Sequence, residues 1–267
     1  MSSGSLSWIR VRAIARRHTY VLKRSPHRLF DVTVWPLVDV LLFGSIGAFV
    51  GQGGGSGEKA FGYLLGGIIL WHVVYQSQIS LSTGFLEETW SRNLLNLMVT
   101  PLKEAEYVAG VALFGMAKLV VGVGLTALLA LIAYAFDVTD IGWGLLPIAA
   151  ILLFVGWSIA LFVIGVVLRF GSGAEALAWG ILFAVMPLSG VFYPVEALPG
   201  LLHPVALALP TTHAFAAMRA ILDGRSIPWD RVALAAVSAA ILAGLALLFL
   251  TKMLGVFRKR GFISRYA

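Results

Sequence analysis

GLLPIAAILLFVGWSIALFVIGVVL, residues 144–168, carries no charged side chain and no proline after Pro147. An α-helix needs about 20 mostly apolar residues to cross the hydrocarbon core of a bilayer, and this run supplies them. Working outward from it, five more stretches have the same character: 32–50, 60–83, 106–135, 176–193 and 230–254. The stretch 106–135 is longer than a bilayer requires and is expected to begin outside the lipid. The chain is 59% hydrophobic and 12% charged, with a mean hydropathy of +0.90, whereas soluble domains are about a quarter charged. The expected fold is therefore an all-α membrane protein, one transmembrane domain over residues 1–267 with six transmembrane helices.

Two segments depart from the span pattern. Residues 6–28 interleave Leu6, Trp8, Ile9, Ile14, Tyr20 and Leu22 with seven basic residues, Arg10, Arg12, Arg16, Arg17, Lys23, Arg24 and Arg28. That composition suits an N-terminal interfacial helix on anionic lipid, with a disordered basic tail as the alternative. The basic region is too long for a cleavable signal peptide, so it is expected to remain on the protein. Residues 194–224 are apolar but broken by Pro199, Pro204 and Pro210, which stop a continuous helix. Two short helices in a broken, re-entrant-like hairpin are expected before the last span, the second capped by Thr211 or Thr212 and closed by Gly224.

Lysine and arginine set the orientation. With both termini in the cytoplasm, inner segments hold fifteen of them and outer segments four (Lys59, Arg219, Arg225 and Arg231), with Lys118 inside a span. The segment EETWSRNLLNLMVTPLKEAE, residues 87–106, is then cytoplasmic. As a helix over 86–100 it aligns Trp90, Leu94, Leu97 and Met98 in one stripe and leaves Glu88, Arg92, Asn93 and Asn96 on the other side. Pro101 ends it, because the residue before a proline leaves the α region. Such a helix either rests on lipid or meets a protein; its mixed charge favours a protein surface.

Several chemistries are absent. With no cysteine, thiolate sites and disulfides are excluded. No G-x-x-x-x-G-K-[ST], H-E-x-x-H or G-x-S-x-G pattern occurs, so no catalytic, cofactor-binding or metal-ligating residues are assigned, and the basic charge is ascribed to lipid rather than nucleic acid. Polar groups within the spans are functional candidates by their cost: Asp39, His72, Gln76, Gln78 and Lys118. Asp39 and Lys118 are expected to pair, and His72 and Gln76 share a helix face, for hydrogen bonding between helices or for substrate contact. Trp71, Tyr75, Phe114, Trp157, Trp179, Phe183 and Phe192 line a path or anchor at the interface.

Taken with the interfacial helix and six spans, EETWSRNLLNLMVTPLKEAEYVAG (87–110) and FYPVEALPGLLHPVALALPTTHAFAAMRAILDG (192–224) resemble the ABC-2 type exporter permeases over nearly the whole chain. The resemblance implies a homodimer in the bacterial cytoplasmic (inner) membrane, joined to two copies of a separate ABC ATPase that binds ATP and Mg2+. It implies export of an amphiphilic or hydrophobic molecule: a drug or antibiotic, a lipid or a lipid-linked glycan. Carried onto this sequence, the contact to the ATPase comprises Glu87, Glu88, Trp90, Arg92, Asn93, Leu94, Leu97 and Pro101, together with the N-terminal helix. External gate helices over 194–224 carry Tyr193, Pro194, Pro199, Pro210 and Arg219 at their motif positions. GGIILW (66–71) departs from the Pro-Gly-Ile form of drug exporters, and the interior lacks the aromatic density of a glycan channel, so the substrate branch stays open. The rival readings are an ion-gradient-driven secondary transporter and a membrane-embedded lipid-modifying enzyme.

Overall fold

The structure is a computed structural model that describes residues 7–52, 56–90, 99–174 and 176–260. All regular elements among them are helical: α1 (Trp8–Lys23), α2 (Pro26–Gly51), α3 (Ser56–Trp90), α4 (Glu104–Tyr134), α5 (Leu145–Phe170), α6 (Ala176–Leu188), α7 (His203–Ala208), α8 (Pro210–Leu222) and α9 (Trp229–Arg260), with short 3-10 turns between some of them. Five helical stretches are long and apolar enough to cross a membrane. A sixth crossing is made only if two helical pieces, Gly200–Ala208 and Pro210–Leu222, bent by 93°, count as one broken span. The chain is thus a multi-pass membrane protein.

α3 is the central helix. It is buried along most of its length and packs on α2 and α4 at one side and on α5 at the other, while α9 lies along α5. Close approach of α3 to α5 depends on Gly156. A Cβ there would stand 1.8 Å from Ser77 Oγ and 2.6 Å from the Val74 carbonyl.

Four expectations are corrected. The fifth span, expected over 176–193, is a helix of only 13 residues. Pro187 stands in its last turn and Gly190 follows with φ of 58°, so this helix alone is shorter than a bilayer crossing needs. The interfacial helix ends at Lys23, and α2 begins at Pro26, because proline suits the first turn of a new helix. The helix expected over 86–100 is not separate at its start, since α3 runs unbroken through Trp90. Finally, α8 starts at Pro210 without a side-chain cap; Thr211 and Thr212 lie within its first turn and bond elsewhere. Gly224 does close it, with φ of 78°, while the Arg225 amide donates to the Ala220 carbonyl.

Gly156→Val is expected to destabilise the protein by about 1–3 kcal/mol through overpacking, read as a lower thermal unfolding midpoint in detergent. Gly180→Ala, where a Cβ meets nothing within 4 Å, should leave the midpoint unchanged.

Candidate functional site

At the end of the bundle that carries α1, this helix does not lie free. Its Val11, Ile14 and His18 are buried against the first turns of α4. Glu106, fully buried, accepts from Arg10 Nε (2.6 Å) and Nη2 (2.7 Å), from the Ser7 amide (2.8 Å) and from the Lys103 amide (3.1 Å). One turn on, Ile14 sits where a Gly110 Cβ would be, 2.6 Å from its own Cβ. A further turn on, His18 stacks on Phe114 with 5.5 Å between ring centroids. Steps of four residues on both helices keep these three contacts in register. The opposite face of α1 exposes Trp8, Ile9 and Tyr20, with the Arg12 and Arg16 guanidiniums over the Trp8 and Tyr20 rings.

The expected ATPase-contact residues divide here. Glu87 is held by Arg28 at the start of α2: Arg28 Nη1 donates to Oε2 at 3.0 Å, and Nη2 lies 3.0 Å from Oε1. Glu88 and Trp90 belong to the last turn of α3. Arg92, Asn93, Leu94 and Leu97 lie outside the described residues, and Pro101 is exposed in the connection to α4. Sequence reasoning missed the roles of Arg10, Arg28 and Glu106. The one available signal was the acid three residues after Lys103, at a helix start.

Within the spans, the partner of Asp39 is His72 and not Lys118. His72 Nε2 lies 3.2 Å from Asp39 Oδ2, and Lys118 is half-buried on α4. Asp39 looks from α2 towards α3, an azimuth that its position along the helix does not fix. His72, Gln76 and Ser80 form one stripe of α3. Gly122 and Gly115 leave room for Gln76 and Ser80, an ideal Cβ at each standing 3.4 Å from Gln76 Nε2 and Ser80 Cβ. No described group hydrogen-bonds the side chains of His72 or Gln76; the inter-helix polar contact of His72 is its 3.2 Å approach to Asp39. Beside them Phe43 stacks on Phe192 (4.2 Å between centroids), and Tyr75 meets His72 edge-on (5.9 Å).

At the far end the broken hairpin is tied down by side chains. Arg219, buried on α8, donates through Nη1 to the Gly190 carbonyl. Ser189 and Thr211 share a hydroxyl hydrogen bond of 2.6 Å, and Thr212 donates to the Ala206 carbonyl at 2.6 Å. Tyr193 donates to the Pro187 carbonyl at 2.9 Å; Pro194 and Pro199 are exposed and Pro210 is buried. Asp223 accepts from Tyr63 (2.6 Å) and Arg225 (3.0 Å), with Lys59 Nζ at 3.7 Å. The Tyr63 hydroxyl first, then Arg225 and Lys59, hold the Asp223 carboxyl below the ordinary carboxylate range against the opposing effect of burial. Between α5, α6, α8 and α9 an apolar cleft of about 460 Å³ has Ser158 and Thr211 as its polar wall.

A depressed folded-state pKa adds stability above the ordinary carboxylate value of about 3.9 and loses it as pH falls through the folded value. The unfolding midpoint should therefore fall more steeply between about pH 5 and pH 3 in the parent protein than in Asp223→Asn. Removing the anchor of α1 by Glu106→Ala should speed tryptic cleavage at Arg12 and Arg16 in the otherwise folded protein.

The ABC-2 type transporter family model matches residues 9–222, which takes in α1, the pairs at the α1 end and the hairpin. The chain is also 25% identical over 232 residues to a daunorubicin resistance ABC transporter permease protein of Streptomyces coeruleorubidus, covering 85% of this chain and 80% of that one. The match from α1 through α8 shows that this chain belongs to the ABC-2 type transporter family.

Proposed function

We propose that the chain is the membrane subunit of an ATP-driven exporter. Two copies pair with each other and with two copies of a separate cytoplasmic ATPase, which binds ATP and Mg2+. Both termini and residues 87–106 face the cytoplasm of a bacterium, and the protein sits in its inner membrane. The exported molecule is amphiphilic or hydrophobic, in keeping with the apolar cleft and with the drug-resistance permease among its relatives.

The observation that carries this reading is how segment 87–106 is tethered. Arg28–Glu87 links α2 to the end of α3, and Arg10–Glu106 links α1 to the start of α4. A push on that segment from a partner reaches four helices at once through bonded groups rather than through a flexible loop. A ligand-driven change in the partner can then bias two arrangements of the bundle. At the other end, Arg219 and Asp223 hold the hairpin to α3 and to the turn after α6. We assign that hairpin as the external gate.

The Asp39–His72 contact favours a second reading, ion-gradient-driven transport, since such carriers place ionisable groups at mid-membrane. Transport that continued without the ATPase and collapsed with the proton gradient would decide for it.

Trp90→Glu with Leu94→Glu should abolish co-purification of the ATPase while the permease still inserts; retained co-purification removes the coupling assignment. Arg219→Gln should lower export and leave ATPase association intact, and unchanged export removes Arg219 from the gate.

A further inference from the structure

We infer that Asp39, His72 and the rings of Phe43, Phe192 and Tyr75 form an intramembrane site for a lipophilic organic cation. As a statement about cargo this rests on the transport reading; as a binding site it stands alone.

A carboxylate at mid-span is costly unless a positive group compensates it. Among the described residues no lysine or arginine lies within 4.0 Å of Asp39, whose partner is an imidazole that is neutral unless protonated. The two side chains differ in access: Asp39 is 30% exposed and His72 only 2%. The carboxylate is therefore the reachable group and the imidazole the floor beneath it. Neither ring nitrogen of His72 makes a hydrogen bond to a described group.

The surroundings select the kind of cation. Phe43 lies one helical turn beyond Asp39 on α2, and its ring is stacked on Phe192 at 18°. Tyr75 stands edge-on to His72 at 83°. Aromatic faces attract a cation that has shed its water. An inorganic divalent ion requires six or more oxygen ligands or an equivalent cluster. No group of three His, Cys, Asp or Glu occurs among the described residues. One carboxylate backed by an imidazole that Tyr75 meets edge-on, with Phe43 a turn further along the same helix, instead matches a bulky, weakly hydrated onium ion, which needs no hydrogen-bond donors of its own.

The test compares two hydrophobic ions of nearly equal shape and opposite charge. Affinity-tagged full-length permease, with whatever subunits co-purify, is placed in lipid nanodiscs. Binding of tetraphenylphosphonium and of tetraphenylborate is measured by equilibrium dialysis, with empty nanodiscs subtracted. Saturable binding of the phosphonium and none of the borate is expected. Asp39→Asn, which keeps the side-chain size, should weaken phosphonium binding at least about tenfold, near 1.4 kcal/mol, and Phe43→Leu should weaken it by a smaller factor.

Equal binding of the two ions, or phosphonium binding unaffected by Asp39→Asn, overturns the site. The comparison of the two ions on the parent protein holds even if a variant fails to fold. The same preparations report whether an ATP-hydrolysing subunit co-purifies. Its absence overturns the exporter reading and leaves the binding result standing, so the two failures are told apart.

Discussion

A peptide group without a hydrogen-bond partner in hydrocarbon costs several kcal/mol, and the architecture of this protein follows from that cost. Long helices satisfy it internally. Where the chain breaks between Leu188 and Leu222, side chains take over the freed carbonyls: Tyr193 bonds that of Pro187, Arg219 that of Gly190, His203 that of Leu198, Thr212 that of Ala206 and His213 that of Leu207. A hairpin bent by 93° persists in an apolar bundle because each of these carbonyls has a donor. The polar residues of the segment therefore have a structural reason to be there before any functional one.

At the other end, charge is handled the same way. Glu106 is buried, yet its carboxylate receives two guanidinium nitrogens and two amides. Removing one member of such a pair leaves the other buried without compensation, which is why buried pairs fix geometry more strongly than they add stability. The result is a helix with two faces: one locked to α4 through the Glu106, Gly110 and Phe114 rungs, the other presenting arginines and aromatic rings. A helix so locked cannot float on the interface independently of the spans, and it moves with α4.

Between these ends the polar atoms of α3 are treated differently. The side chains of His72 and Gln76 are buried without a hydrogen bond to any described group, as are Gln78 Oε1 and the Ser80 hydroxyl on the same helix and His213 Nδ1 on α8. Such exceptions concentrate at functional positions. Beside them, Asp39 is partly exposed, with its carboxylate 3.2 Å from His72 Nε2.

The approximate positions of five of the six expected spans, the broken character of 194–224 and the family were legible in the sequence, because spans and proline breaks are local properties of the chain. Gly224 as a helix end was legible for the same reason, needing only a positive φ. What tertiary structure alone decided were the pairings: Arg10 with Glu106 across 96 positions, Arg28 with Glu87 across 59, Arg219 with Gly190 across 29, and Asp39 with His72 in place of Lys118. Residue order states how deep a side chain lies along its own helix. It does not state which way that helix is turned, since azimuth is set by close contacts such as Gly156 on Ser77 and Gly110 on Ile14. The sequence by itself determined a multi-span helical permease; the rotation of each helix in the bundle determined which charges meet.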